Sequence, residues 1–264
     1  MRRLLTFDCG GAQLCASLDE AAGSTGILMV TGGSQTRIGS HRLYERLSRQ
    51  LADHGFPCFR FDRRGVGDSG GEDPGYRGSA ADLTAAAAAF RAGQPGLRHV
   101  VGVGLCDGAT ALALYGAEAG IDGIVMINPW LVEAEADAPP PAAIRRHYRE
   151  QLLSLSGWKR LLGGSVSYRK LLRGITKAAR PIEGSELAAD VARALRGSGE
   201  PAVLILAKRD ATAIAAAREV RGRAFDGLIA RTAEIDTDSH TFAKPGDLDA
   251  LLAAILGVLP AKGG

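Results

Sequence analysis

The chain has 264 residues, of which 46% are hydrophobic, so it is long enough to bury a core of its own and is not a disordered chain. Its 32 Lys and Arg residues against 29 Asp and Glu residues give a net charge of +3, which is too small to indicate a nucleic-acid-binding protein. The sequence shows no run long enough for a membrane-spanning helix and no signal peptide, so we expect a cytoplasmic protein.

Short apolar runs alternate with amphipathic segments, which predicts an α/β fold with a mostly parallel sheet and helices on both faces. In chain order, the sequence predicts strands at 3–9, 12–18 and 26–32, a helix at 40–54, a strand at 57–62, a helix at 79–92, a strand at 99–105, a helix at 107–119 and a strand at 123–128. The alternation resumes later with a strand at 202–207, a helix at 211–222, a strand at 229–235 and a helix at 247–258.

A proline-rich turn and further helical segments interrupt this alternation after Pro129. We therefore expect residues 131–200 to form a helical cap, inserted into a core made of residues 1–130 and 201–264. An insertion that follows a strand of an open parallel sheet lies over the edge where ligands bind. Helices of the cap are predicted at about 142–156, 158–162, 166–178 and 186–196.

A glycine-flanked cysteine stands at the junction of a predicted strand and a predicted helix. Gly104, Cys106 and Gly108 form the pattern G-x-C-x-G, the arrangement of a nucleophile elbow with cysteine in place of the commoner serine. A strand that turns sharply into a helix leaves no room for side chains at the two glycine positions. The helix N-terminus also favours a thiolate, although the charge of Asp107 opposes it. The competing interpretation is that Cys106 is a small buried packing residue.

The remaining cysteines lie in strand patterns and are predicted to be packing residues. No pair has the C-x-x-C spacing of a metal site, and the cysteine density is far below that of a secreted disulfide scaffold. The sequence therefore predicts reduced thiols, no metal site and no cofactor. These three residues are Cys9, Cys15 and Cys58.

Three motifs together carry a family resemblance. They are Val30-Thr31-Gly32-Gly33-Ser34, the loop Asp62 to Ser69, and the elbow around Cys106. With them the chain resembles the α/β-hydrolase superfamily along nearly its whole length, which implies the α/β-hydrolase fold with a helical cap. More narrowly, the stretches 32–42 and 104–107 resemble the exosortase A system-associated hydrolases of bacterial exopolysaccharide loci, which implies a role near exopolysaccharide synthesis or protein sorting.

A thiol nucleophile needs a base and a carboxylate that orients the base. In this fold the chain order is nucleophile, acid, histidine, which favours His240, after the last strand, as the base. Asp210 is the expected acid because the alternative acid position, at the end of the strand before the cap, holds Asn128. Asp210 is equally suited to cap a helix, and the spare acid candidates are Asp236 and Asp238.

The oxyanion hole is expected to use the backbone N–H of Asp107 and one N–H from Gly33 or Ser34. The loop Asp62 to Ser69 is interpreted as a structural turn. Candidate substrate-binding residues are Arg37, His41 and Trp130.

The predicted cap carries most of the positive charge. Residues 142–180 contain ten Lys or Arg residues and one acid, a net charge of +9, which leaves −6 for the rest of the chain. Three interpretations stay open: a solvated outer face, a roof that attracts an anionic substrate, or a surface that contacts anionic lipid headgroups.

The sequence thus favours a Cys106-His240-Asp210 hydrolase that cleaves esters or thioesters of small-molecule or lipid-linked acyl substrates. One alternative is an acyltransferase that passes the acyl group to a glycan or lipid acceptor. Another is a non-catalytic, membrane-proximal binding module that acts through the basic cap.

Overall fold

A computed structural model describes residues 1–133 and 185–259 of the chain. Its eight described strands form one sheet in the order β1-β2-β4-β3-β5-β6-β7-β8. Strands β1, β2 and β4 pair antiparallel, and every other pair in the sheet is parallel. The strands are β1 Arg2–Cys9, β2 Ala12–Asp19, β3 Thr25–Val30, β4 Cys58–Phe61, β5 His99–Leu105, β6 Gly123–Ile127, β7 Ala202–Ala207 and β8 Ile229–Ile235.

Helices cover both faces of this sheet, as the unbroken apolar strands predict. Successive residues of β3 point to opposite faces: Ile27 and Met29 pack in one apolar cluster, and Leu28 and Val30 in the other. Helices α1 and α6 contribute to the first cluster, and α2, α3, α4 and α5 to the second. The helices are α1 Leu43–Asp53, α2 Ala80–Gly93, α3 Asp107–Tyr115, α4 Glu186–Gly197, α5 Ala211–Glu219 and α6 Asp247–Leu256. The expected α/β-hydrolase fold is therefore confirmed.

Several element boundaries differ from the sequence prediction by one to four residues, and two of them border the segment between β3 and α1. Strand β3 ends at Val30, before the glycine pair that was predicted to lie inside it. Helix α1 begins at Leu43 because His41 and Arg42 have positive φ angles of 42° and 65°, which a helix does not accept. The segment between β3 and α1 is therefore a loop that ends in a short 3₁₀ helix, Ser40–Arg42, rather than the first turn of α1.

The chain divides into two compact units, Met1–Val132 with Ser185–Gly264, and Glu133–Gly184. Helix α4, which the sequence analysis assigned to the cap, belongs to the first unit. Its residues Leu187, Val191 and Leu195 recur every four positions and are buried in the same apolar cluster as α3. The other predicted cap helices lie outside the described residues. Among the described helices, none is long and apolar enough to cross a membrane.

Candidate active site

Cys106 lies at the turn between β5 and α3, at the edge of the sheet where the parallel strands end. Its backbone has φ 59° and ψ −127°, a conformation that non-glycine residues rarely adopt and that stores strain. A Cβ on Gly104 would lie 2.7 Å from the Ala109 nitrogen, and one on Gly108 would lie 2.6 Å from the Val30 and Thr31 oxygens. The two glycines are therefore required by the close approach of α3 to β3 and β5.

The His240 ring lies between the carboxylate of Asp210 and the thiol of Cys106. Its Nδ1 is 3.0 Å from Oδ2 of Asp210. Asp210 follows β7, and His240 follows β8. The hydrogen bond with Asp210, which contributes most, and the one with Cys106 raise the pKa of the His240 ring from 6.5 to about 10. The structure thus brings together the three side chains that the sequence predicts as a catalytic triad, and the imidazolium form of His240 is favoured at neutral pH.

Asp210 combines the two roles that the sequence left open. Its carboxylate accepts the N–H of Ala213 at 2.9 Å, so it is the N-cap of α5, and it also binds His240. These hydrogen bonds hold the pKa of Asp210 below its usual range although burial opposes this. The two spare candidates are engaged elsewhere, Asp236 with Arg209 and Asp238 with Lys244.

Two side chains from distant parts of the chain hold the loop that carries His240. The buried Asn128 donates through Nδ2 to the carbonyl of His240 at 2.9 Å, and its Oδ1 accepts the N–H of Ala207 at 2.8 Å. His41 Nε2 is 2.8 Å from the carbonyl oxygen of Thr241. The sequence analysis noted Asn128 only because it is not a carboxylate, and it missed this positioning contact. The available signal in the sequence was a polar residue directly after a central apolar strand and before Pro129; in the structure Asn128 has a φ of 42°.

The loop after β3 borders the elbow directly. A Cβ on Gly32 would lie 3.0 Å from the Cβ of Cys106. The N–H of Gly33 donates to Oδ1 of Asp107, and the carbonyl of Gly33 accepts a hydrogen bond from Nη2 of Arg63. Sequence reasoning missed Arg63, because it treated the whole loop after β4 as a structural turn.

The other predicted binding residues lie in different settings. The guanidinium of Arg37 pairs with the buried Asp62 and with Asp68, so it serves the loop after β4. These contacts agree with the interpretation of the loop Asp62 to Ser69 as a structural turn. Within it, Asp62 also accepts the N–H of Asp68 at 3.2 Å. Trp130 is half-buried beside the elbow, and its backbone N–H donates to the backbone carbonyl of Cys106 at 3.2 Å.

The other three cysteines are free thiols in different environments. Cys9 and Cys58 are buried, and burial raises the pKa of Cys9 and raises that of Cys58 well above its ordinary value. Cys15 is half-buried, and its Sγ lies 3.3 Å from the carbonyl oxygen of Asp68. In the described ranges no group of His, Cys, Asp or Glu side chains is arranged to hold a metal ion.

Comparisons with known proteins agree with this architecture. The chain is similar to the α/β hydrolase GrgF from Penicillium sp. sh18, with 17% identity, 97% coverage of each chain and a TM-score of 0.63. It is similar to XC6422 from Xanthomonas campestris, described as an α/β serine hydrolase without lid, with 18% identity, 99% and 97% coverage and a TM-score of 0.62.

Dienelactone hydrolase from Anabaena variabilis ATCC 29413 is 16% identical, with 97% of this chain and 94% of that chain covered and a TM-score of 0.62. Among curated proteins, no sequence matches the chain. The model of the Alpha/beta hydrolase family matches residues 27–254. The chain therefore belongs to the Alpha/beta hydrolase family.

Proposed function

We propose that the protein is a cytoplasmic hydrolase that cleaves ester or thioester bonds through a Cys106-His240-Asp210 triad and an acyl-enzyme. The observation that carries the proposal is the position of His240, which hydrogen-bonds to Asp210 on one side and to Cys106 on the other. The strained backbone of Cys106 supports it, because such conformations persist where function requires them.

The reaction follows from the protonation of His240. With its pKa at about 10, the ring carries a proton at neutral pH, and Asp210 stabilises this imidazolium. The nucleophile is the thiolate form of Cys106, which the adjacent imidazolium stabilises. The thiolate attacks the substrate carbonyl carbon, and backbone N–H groups bind the oxyanion. The tetrahedral intermediate collapses when the C–O or C–S bond breaks and His240 gives its proton to the leaving group.

The acyl group is then a thioester on Cys106, and His240 is neutral. A water molecule gives a proton to His240 while its oxygen attacks the thioester carbon. The C–S bond breaks, the carboxylic acid leaves, and the thiolate-imidazolium pair is restored. A thioester substrate exchanges one thioester for another, which makes the acylation step less costly than it is with an ester.

The substrate class is the finer part of the proposal. The structurally similar proteins include a Pyrococcus furiosus esterase and a dienelactone hydrolase, which supports ester-type chemistry. The resemblance of stretches 32–42 and 104–107 to exosortase A system-associated hydrolases supports a small-molecule or lipid-linked acyl substrate near exopolysaccharide synthesis. The +9 charge of residues 142–180 supports an anionic substrate or contact with anionic lipid, and flotation with anionic vesicles at low and high salt tests the second.

Intact-mass analysis with p-nitrophenyl esters and acyl thioesters tests the catalytic proposal. We expect an acyl adduct on the wild type and on the matched control Cys15→Ala, and none on Cys106→Ala. With His240→Ala, acylation slows strongly because the thiolate loses its imidazolium partner. Release of free acid in water identifies a hydrolase, whereas faster release with a glycan or lipid acceptor identifies an acyltransferase. If no donor leaves an adduct and iodoacetamide labels Cys106 no faster than a free thiol, the catalytic assignment is wrong.

A further inference from the structure

We propose that Arg63 is a positioning residue of the oxyanion hole: it holds the Gly33 carbonyl so that the N–H of Ser34 donates to the oxyanion. The N–H of Gly33 does not donate to the oxyanion. The sequence left these two N–H groups as alternatives. The inference rests on the proposed acyl transfer and names the loop donor that this reaction uses.

The first observation is that the Gly33 donor is already occupied. Its N–H is hydrogen-bonded to Oδ1 of Asp107, the residue that follows the nucleophile. A carboxylate oxygen accepts this hydrogen bond in charge-assisted form, so a substrate oxyanion would have to displace it. Gly32 also contacts this carboxylate closely, since a Cβ there would lie 2.8 Å from the same Oδ1. Asp107 therefore fixes the loop and occupies one donor of the loop.

The second observation is the side chain of Arg63. Arg63 is only 2% exposed, and its Nη2 donates to the carbonyl oxygen of Gly33. Its Nε and Nη1 are buried and have no hydrogen-bond partner among residues 1–133 and 185–259. Burying a guanidinium is expensive unless it has partners. The contact with Gly33 is thus the one hydrogen bond of this guanidinium within the described part of the chain.

Neighbouring arginines show how unusual this is. Arg64 pairs with Asp82 at 3.0 Å, and Arg37 pairs with Asp62 and Asp68. Arg63 forms no ion pair with any carboxylate of the described residues. Its positive charge is therefore not neutralised at the point where it meets the peptide bond between Gly33 and Ser34.

A hydrogen bond to a carbonyl strengthens the N–H of the same peptide group, because the amide is conjugated and hydrogen bonds polarise one another. The peptide between Gly33 and Ser34 is trans, so its N–H points away from its carbonyl. Arg63 holds the carbonyl on the buried side, while Ser34 itself is exposed. The Ser34 N–H is therefore fixed and polarised toward the open side of the loop, where the developing oxyanion forms next to Cys106. The N–H of Asp107, at the start of α3, is the second donor.

Two reactions of the same thiol test this role, because only one of them makes an oxyanion. Iodoacetamide alkylation needs the thiolate but displaces iodide from a saturated carbon, whereas acylation passes through a tetrahedral oxyanion. In Arg63→Gln we expect the rate of Cys106 acylation by a p-nitrophenyl ester to fall roughly 10- to 100-fold while the alkylation rate is unchanged. Arg63→Lys recovers part of the loss, because an ammonium can still donate to the carbonyl.

A second variant removes the donor itself. Ser34→Pro deletes the N–H and is expected to slow acylation as much as Arg63→Gln does, with alkylation unchanged. The double variant is expected to be no slower than either single variant, because both act on one hydrogen bond. Arg64→Gln is the matched control, since its guanidinium binds Asp82 and not the loop. Circular dichroism and thermal unfolding show that each variant is folded.

The outcomes separate this inference from the proposed function. If the wild type forms no acyl adduct, the proposed function fails and this inference fails with it. If the wild type acylates and either Arg63→Gln or Ser34→Pro acylates at its rate, the proposed function stands and the role of Arg63 through the Ser34 N–H is wrong. A parallel fall of acylation and alkylation also overturns the inference, because it indicates general damage to the elbow.

Discussion

One oxygen of Asp210 binds both the ring of His240 and the first turn of α5. Its Oδ2 is 3.0 Å from Nδ1 of His240 and 2.9 Å from the N–H of Ala213. A helix cap and an orienting carboxylate both need a fixed acceptor just beyond a strand, so a single side chain serves both. The two contributions can nevertheless be separated by substitution.

For Asp210→Asn we expect ester hydrolysis to fall about 10²- to 10⁴-fold, and stability to fall because the His240 imidazolium loses its carboxylate partner. The helix cap is kept, because asparagine also caps helices. Asp210→Ala should lose similar activity and be about 1 kcal/mol less stable than Asp210→Asn, because alanine does not cap the helix. Urea unfolding and initial rates measure the two effects. The exposed Asp236→Asn, which affects a surface ion pair, is the control. Equal stability of the two Asp210 variants would contradict the capping role.

The protonation of His240 gives a prediction about pH. Its folded pKa of about 10 lies above the ordinary value of 6.5, so its stabilising effect is fully present below pH 6.5 and is lost as the pH rises through about 10. An NMR titration of the imidazole nitrogens should show a midpoint near 10. Asp210→Asn should lower this midpoint by about 1–3 pH units, because the bond to Asp210 is the main cause of the shift. A wild-type midpoint near 6.5 would contradict the ion pair.

Asn128 should position His240 through its two hydrogen bonds. Both Asn128→Gly and Asn128→Ala lose these buried bonds, which we expect to cost about 1–3 kcal/mol and to slow hydrolysis. Because φ at this residue is 42°, the alanine variant should be less stable than the glycine variant by about 1 kcal/mol. Urea unfolding measures this difference. An alanine variant at least as stable as the glycine variant would show that the backbone strain is unimportant.

The strain at Cys106 predicts a trade between stability and function. Glycine tolerates φ 59° and ψ −127°, so Cys106→Gly should be more stable than Cys106→Ala by about 1–2 kcal/mol, and both should be inactive. The control reverses the order: at Cys58, in the middle of the sheet, glycine should be less stable than alanine. Thermal unfolding of the four variants distinguishes strain from a general preference for glycine.

Several features of the site follow from local sequence alone. The elbow is a contiguous pattern in which Gly104 and Gly108 leave room for one sharp turn. Apolar residues at regular spacing define the strands on either side. The two partners need more than local sequence: the chain order of nucleophile, acid and histidine, which the family resemblance implies, selects Asp210 and His240 because each follows one of the last two strands. Local rules suffice where a residue's neighbours in the sequence are also its neighbours in space.

The sequence failed where the partner comes from another part of the chain. Arg37 stays a candidate for substrate binding, and the structure adds that its guanidinium pairs with Asp62 and Asp68, which no local pattern shows. Helix α4 was expected in the cap, but its apolar stripe packs with α3. Neither choice is visible in a local pattern, since an arginine or an amphipathic helix accepts several partners and the fold decides which is in reach.

By itself, then, the sequence determined the α/β fold and the elbow at Cys106, because periodicity and glycine spacing are short-range properties. The candidates for the two partners of Cys106 came from the chain order that the family resemblance implies. Only the tertiary structure decided that Asp210 and His240 share a hydrogen bond, that Asn128 holds the His240 loop, and that Arg63 reaches the Gly33 carbonyl. These contacts join residues 30 to 112 positions apart. They form because folding brings the ends of the parallel strands to one edge of the sheet, where buried polar groups must find hydrogen-bond partners.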